Sequence, residues 1–314
     1  ARVAETFGVR LGVVRLFQHP TLRGFAGAIA AATTQPAEAA TEEWKIVRIQ
    51  PAGDKVPVIA INNTVAYYNL ARLIGTDRPF LGIQLFDPDA PRDLEPRPFA
   101  EIAADYVRII RQARPHGPYI LIGLCVAGAL AYAAADQLRR EGEEVPLVVM
   151  ADTWLPNYLR RLPFPRGPLF RWSYRFHVGR HQLALVRAGA VGLPDVLQSY
   201  RLVRKLRVLE IAAALGLIAM PEGKHDWKNR WFLPHLEASR DGWTVPARDG
   251  PVVILRSEEM VLPFADPALG WRGPAAGRLC SAAVPGWHVD MFQHAGAARI
   301  AAMLKPLLDA VDGA

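Results

Sequence analysis

The sequence predicts an α/β fold: a mostly parallel sheet with helices on both faces. Three observations predict it. From about residue 46 onward, short apolar runs without alternation recur along the chain, the pattern of strands buried on both faces. Longer segments between them carry apolar residues at helical spacing. The run Tyr119-Ile120-Leu121-Ile122 ends at Gly123-Leu124-Cys125-Val126-Ala127-Gly128 and passes into the alanine-rich stretch 129–135, which reads as strand, sharp turn and helix.

The elements follow in order. Residues 1–33 read as short helical pieces, with Thr21 as N-cap of a helix through Leu22, Phe25 and Ile29, and Pro20 fixing the chain before it. Thirty residues are too few for a core of their own. Residues 34–44 are small, polar and Pro-bearing, the composition of a linker. Strands are expected at 46–49 and 56–61, then the loop Asn62-Asn63-Thr64, a helix carrying Tyr68 to Ile74, and a strand at 79–83. A helix at 99–113 presents Ile102, Tyr106, Ile109 and Ile110 on one face. The strand 119–122, its helix 126–140 and a strand 146–151 ending at Asp152 complete this half. Residues 153–245 break the rhythm and read as an inserted helical segment. Strands at 251–256 and 279–284, the turn Pro285-Gly286-Trp287-His288 and a last helix from about 295 to 311 resume it.

Composition bounds the function. With 51% hydrophobic and 21% charged residues in 314, a sizeable core is affordable, and no apolar run is long enough to span a bilayer. Two cysteines, Cys125 and Cys280, argue against a disulfide framework or a cysteine zinc site and fit a reducing, cytoplasmic setting. The chain begins at Ala1 rather than Met, which suggests a piece of something longer. The net charge of +7 is concentrated between Thr153 and Pro246, where 15 Lys and Arg face 6 Asp and Glu. With no nucleic-acid module in view, that charge is either a solvated face or a site for an acidic protein or a phosphate.

The chemistry-bearing residues stand at strand ends. Cys125 follows one strand, Asp152 the next, and His288 the last. A nucleophile at a tight strand–helix turn, then an acid, then a histidine is the order in which the α/β-hydrolase fold delivers a triad, and catalytic groups of open α/β sheets gather at the carboxyl ends of strands. Each residue also has a structural reading. Cys125 fits a buried thiol, Asp152 the cap of a helix starting at Trp154, and His288 a turn cap. Glu258 and Glu259, after the next strand, are the alternative acids, and His294 is the reserve base. An oxyanion hole takes one backbone N–H from Val126 and a second from Thr64 or Asn63.

Residues 45–314 resemble a type I thioesterase, the chain-releasing domain of nonribosomal peptide and modular polyketide synthetases. The elbow at Cys125, the 27-residue spacing to Asp152, His288 in Pro-Gly-x-His, the phrase Tyr68-Asn69-Leu70-Ala71, and Asp77-Arg78-Pro79 leading into Gly82-Ile83-Gln84 carry the likeness. Residues 1–33, with Leu16-Phe17 and His19-Pro20-Thr21, resemble the tail of an acyl or peptidyl carrier domain whose phosphopantetheine serine lies upstream. The resemblance implies a Cys125-His288-Asp152 triad and a lid at about 153–245. It implies a substrate delivered on the phosphopantetheine arm of the upstream carrier, with no cofactor of the domain's own. It also implies release of the acyl or peptidyl chain to water, an amine or a hydroxyl. Trp154 is expected to line the acyl pocket. Arg160, Arg161, Arg166, Arg171 or Arg175 are expected to dock the carrier or hold the phosphate. No nucleic acid or membrane partner is implied. A stand-alone editing thioesterase and a non-catalytic acyl- or carrier-binding module are the other readings. This chain departs from the family's pattern in three places: Cys for Ser at the elbow, Ala127 for its second Gly, and Asn62-Asn63-Thr64 for the Gly-rich oxyanion loop.

Overall fold

A computed structural model describes residues 2–9, 21–34, 45–62, 64–85, 97–198, 201, 204, 235–260, 266–275, 277–288 and 290–313. The expectations for residues 10–20, for most of the 34–44 linker and for Asn63 lie outside them.

Near the start lie α1 (Arg2–Phe7) and α2 (Leu22–Thr34). As expected, Thr21 caps α2, its Oγ1 accepting from the Gly24 N–H at 3.1 Å. The sheet then forms from β1 (Ile46–Gln50), β2 (Val58–Ile61), β3 (Phe80–Ile83), β4 (Ile120–Leu124), β5 (Leu147–Ala151), β6 (Pro251–Ser257) and β7 (Arg278–Val284). Its seven strands run in the order β1-β3-β2-β4-β5-β6-β7. Only the edge strand β1 is antiparallel to its neighbour; every other pairing is parallel. Parallel strands need crossovers, and the chain supplies them as α3 (Tyr68–Ile74), α4 (Phe99–Ala113) and α5 (Val126–Arg140), with α8 (His294–Asp312) closing the sheet unit.

Successive strand residues feed opposite faces, so each strand contributes to two cores. Ile59, Ile61, Leu121, Val148, Met150 and Ile254 pack under α4 and α5. Val58, Ala60, Ile120, Ile122, Val149, Val253 and Leu255 pack with α3 and α8. This two-sided burial is why the strands read as unbroken apolar runs. The far end of α8 is tied down by the buried Arg78, which donates to the Leu308 carbonyl at 3.1 Å and pairs with Asp312.

Residues 159–228 form a separate compact unit, containing most of α6 (Tyr158–Arg161) and all of α7 (Arg166–Arg187). The break is narrower than the 153–245 insertion the sequence suggests. The flanks belong with the sheet unit because they are apolar where it needs cover: Leu236 is buried in the core under α4 and α5, and Trp154, Leu155, Trp243 and Val245 pack against it. No helix starts at Trp154; residues 153–155 are irregular, so Asp152 caps none there. Among the described residues no helix is long and apolar enough to cross a membrane.

Candidate active site

The turn between β4 and α5 sets the geometry. Cys125 sits at φ 59°, ψ −128°, a region unfavourable for a residue with a Cβ by about 1–3 kcal/mol. The surroundings hold it there. Its N–H donates to the Ala151 carbonyl at 2.8 Å, and its own carbonyl accepts from the Gly128 N–H at 3.1 Å and from Thr153 Oγ1 at 2.9 Å. The close approach of helix to strand depends on two glycines. A Cβ on Gly123 would lie 2.2 Å from the Ala127 carbonyl oxygen, and one on Gly128 1.9 Å from Thr153 Oγ1. The second glycine of this elbow is therefore Gly128, one position later than the family pattern, and Ala127 is accommodated.

Asp152 extends β5 with φ 42° and is almost wholly buried. Both carboxylate oxygens are engaged: Oδ1 accepts the Ser257 N–H at 2.7 Å, and Oδ2 lies 2.9 Å from His288 Nδ1. Glu258 and Glu259, the alternative acids, open a 3-10 turn just after β6. His294, the reserve base, is exposed as the first residue of α8. His288 follows the Pro285–Gly286 turn, where Gly286 takes φ 104°, and its side chain is about three-quarters shielded from solvent. Burial disfavours a charge on this ring, but the hydrogen bond to Asp152 and the electrostatic pull of Asp152 and Cys125 outweigh it. The ring is pushed up to about 10. The structure thus sets His288, after β7, against Asp152, after β5, and Cys125 follows β4, the strand next to β5.

The oxyanion candidates fall as follows. Val126 is the first residue of α5, where helix geometry leaves the N–H without an intrahelical acceptor. Thr64 opens a 3-10 turn, Thr64–Tyr67, and is buried. Ile61, the last residue of β2, pairs with Gly123 of β4, two positions before Cys125. Trp154 is half-buried and packs against Tyr158, the rings tilted by 37° with centroids 5.5 Å apart. Arg160 and Arg161 are exposed within the separate 159–228 unit, as are Arg166 and Arg175. Among the described residues no group of three or more His, Cys, Asp or Glu is arranged to hold a metal ion.

Sequence reasoning missed the partners of these groups. Ser257 acts through its backbone, and its place at the end of the strand beside Asp152 is the one available signal. Thr153, next to the acid, bridges the Cys125 and Ala151 carbonyls. Tyr67 is fully buried, its ring edge-on to Phe292 at 4.7 Å, and its hydroxyl lies near the Leu124 backbone without forming a hydrogen bond.

Residues 56–162 match the family model described as Thioesterase domain. The chain is 34% identical over 172 residues to a dimodular nonribosomal peptide synthase of Bacillus subtilis (strain 168), covering 54% of this chain and 7% of that protein. It is 33% identical over 144 residues to the indigoidine synthase of Dickeya dadantii (strain 3937), covering 45% of this chain and 9% of that one. The chain thus spans less than a tenth of these relatives' length. Among solved structures, the NocB thioesterase domain in covalent complex with a fluorophosphonate nocardicin G analog aligns over 82% of this chain and 96% of its own, with TM-score 0.54 at 21% identity. The Vlm2 thioesterase domain bound with a dodecadepsipeptide aligns over 84% and 97%, with TM-score 0.53 at 18% identity. These likenesses establish the α/β-hydrolase fold. Residues 56–162, the part the family model matches, hold β2 to β5 together with Cys125 and Asp152.

Proposed function

We propose that this domain releases an acyl or peptidyl chain from the phosphopantetheine thioester of an upstream carrier domain in the same cytoplasmic synthetase, through an acyl-Cys125 intermediate. Residues 1–33 are then the end of that carrier, and the domain needs no cofactor of its own. The observation that carries the reading is the 2.9 Å contact of His288 Nδ1 with Asp152, beside the strained turn that holds Cys125.

The steps follow from these groups. With its ring raised to about 10, His288 is an imidazolium at neutral pH, ready to protonate a departing sulfur. The Cys125 thiolate attacks the thioester carbonyl carbon, and the carbonyl oxygen gains the negative charge that the N–H groups of Val126 and Thr64 stabilise. As the intermediate collapses, the carbon–sulfur bond to pantetheine breaks and that sulfur takes the proton from His288. The neutral imidazole, held by Asp152, then accepts a proton from the incoming amine, hydroxyl or water as it attacks. Cys125 leaves as thiolate, and the resting pair is restored.

An acyl-Cys is a thioester, so loading from a thioester is close to isoenergetic and preserves the activation. An acyl-Ser would be a lower-energy oxoester. The cysteine therefore favours transfer to an amine or hydroxyl, as in lactam, strained lactone or amide formation, over plain hydrolysis. Trp154 lines the acyl side of the site. Arg160 and Arg161, with Arg166, Arg171 and Arg175, give the insertion the positive charge that suits an acidic carrier or the pantetheine phosphate. The test is intact-mass analysis after mixing with carrier-bound substrate. A mass increase on Cys125 that Cys125→Ala abolishes is expected, and a wild-type domain that turns over without it overturns the acyl-enzyme reading.

A further inference from the structure

β2 ends at Ile61, paired with Gly123 of β4, and the residues that follow, Asn62-Asn63-Thr64, include none of the glycines that let a loop fold close to a substrate. Three contacts take their place. Asn62 adopts a left-handed φ of 55°, which Asn tolerates best after Gly, and its N–H donates to the Ile83 carbonyl at 2.8 Å. Its Oδ1 accepts from the hydroxyl of Tyr106 at 2.7 Å. Tyr106 belongs to α4 and is wholly buried; burial pushes its phenol well up, against the smaller effect of the Asn62 bond, so it remains a donor. On the other side, Gln84 Nε2, just past β3, donates to Thr64 Oγ1 at 2.9 Å, while the Gln84 N–H is fixed on the Lys45 carbonyl at 2.8 Å. The Thr64 methyl fills the space over Gly82, where a Cβ would lie 2.2 Å from it.

We propose that Tyr106 and Gln84 are positioning residues for acyl transfer: they clamp Asn62 and Thr64 so that the Thr64 N–H is fixed where charge develops on the acyl oxygen. Neither side chain touches the reacting atoms. They supply through side-chain hydrogen bonds the order that a glycine-rich turn supplies through its backbone. The inference rests on the acyl-Cys125 reading. Oxyanion stabilisation matters only where a carbonyl oxygen becomes charged. Alkylation of the same sulfur by iodoacetamide generates no oxyanion, so the two reactions separate the clamp from the state of the thiol.

The experiment compares wild type, Tyr106→Phe and Gln84→Leu in single-turnover acylation by an acyl-N-acetylcysteamine thioester, followed by intact mass, and in alkylation by iodoacetamide. Each variant is expected to acylate at least tenfold more slowly at saturating thioester, with the half-saturating concentration and the alkylation rate within twofold of wild type. Acylation at the wild-type rate in a folded variant overturns the clamp. So do acylation and alkylation falling together, which marks a general loss of structure. Should Tyr106→Phe fail to fold, Gln84→Leu, half-buried at a strand end, carries the comparison. A wild-type domain that alkylates but never acylates overturns the acyl-enzyme reading and the clamp with it, and is recognised before any variant is compared.

Discussion

Asp152→Asn alters one atom and one charge at the centre of the proposed site. Asp152 heads the groups that raise the His288 ring to about 10 against burial. At that value all but about one ring in 300 is protonated at pH 7.5. With a neutral amide at 152, the ring falls back toward its ordinary 6.5, and about one in ten stays charged at the same pH. An amide Nδ2 facing Nδ1 at 2.9 Å also sets donor against donor and favours the wrong tautomer. The Ser257 N–H keeps its acceptor through Oδ1, so the fold is retained. The expected outcome is about a tenfold drop in iodoacetamide alkylation of Cys125 at pH 7.5, and a loss in kcat of about 10³ to 10⁴. A His288 titration midpoint within half a unit of wild type, read by NMR on selectively labelled protein, refutes the account.

Stability gives an independent check with a fixed sign. The His288 pKa is higher folded, about 10, than unfolded, 6.5. Its contribution is therefore fully present below pH 6.5 and lost as pH rises through about 10. That difference corresponds to at most about 5 kcal/mol, and breaking one side of a buried ion pair costs about 3 kcal/mol. The melting-temperature gap between wild type and Asp152→Asn is expected to be widest near pH 6 and to narrow toward pH 10. A gap that widens with rising pH contradicts the assignment.

Other outcomes follow from single contacts. Gly128→Ala drives a methyl onto Thr153 Oγ1, at 1.9 Å, and is expected to destabilise by about 1–3 kcal/mol in urea titrations; an unchanged midpoint counts against the glycine's role in the elbow. Tyr67→Phe removes a buried hydroxyl that makes no hydrogen bond and should stabilise by about 1 kcal/mol, seen as a higher Tm. Cys125→Ser is expected to shift released product toward free acid, scored by mass spectrometry of the product mixture; an unchanged ratio argues against the role assigned to sulfur.

The parts of the molecule that were legible in the sequence are those whose signal is local. The helices 99–113 and 126–140 appear at the bounds their apolar residues and flanking residues set; the first buries one stripe, and the second is buried nearly all round, from Val126 to Asp136. The strands appear as apolar runs because both faces are covered. The meeting of Asp152 and His288 was legible because both follow parallel strands at the same end of the sheet. The rest depends on contacts between distant residues. That Gly128 serves as the elbow's second glycine follows from where Thr153 falls on the neighbouring strand. Tyr106 read as one more apolar residue on the buried face of α4; its hydroxyl meets Asn62, 44 positions earlier, and no periodicity encodes that. The extent of the inserted unit was misjudged because Trp154, Leu236, Trp243 and Val245 look like lid residues in sequence and act as core in space.

The cysteine changes what the histidine must do. With serine at an elbow, the histidine must remove a proton from an alcohol at the moment of attack, so a ring held as a cation would be useless. Here, against burial, Asp152 and Cys125 push the ring up to about 10, a direction that would silence an alcohol and suits a thiol. In the proposed mechanism the work of His288 therefore moves to the leaving pantetheine sulfur in loading and to the incoming nucleophile in release. After loading, the anionic sulfur is gone and the ring has given up its proton, so a base becomes available just when the second nucleophile needs one. The strained turn that fixes Cys125, the buried carboxylate that fixes His288 and the clamped segment that presents Thr64 then serve one requirement. The acyl group must be received without loss of activation and passed on only when a nucleophile reaches the ring.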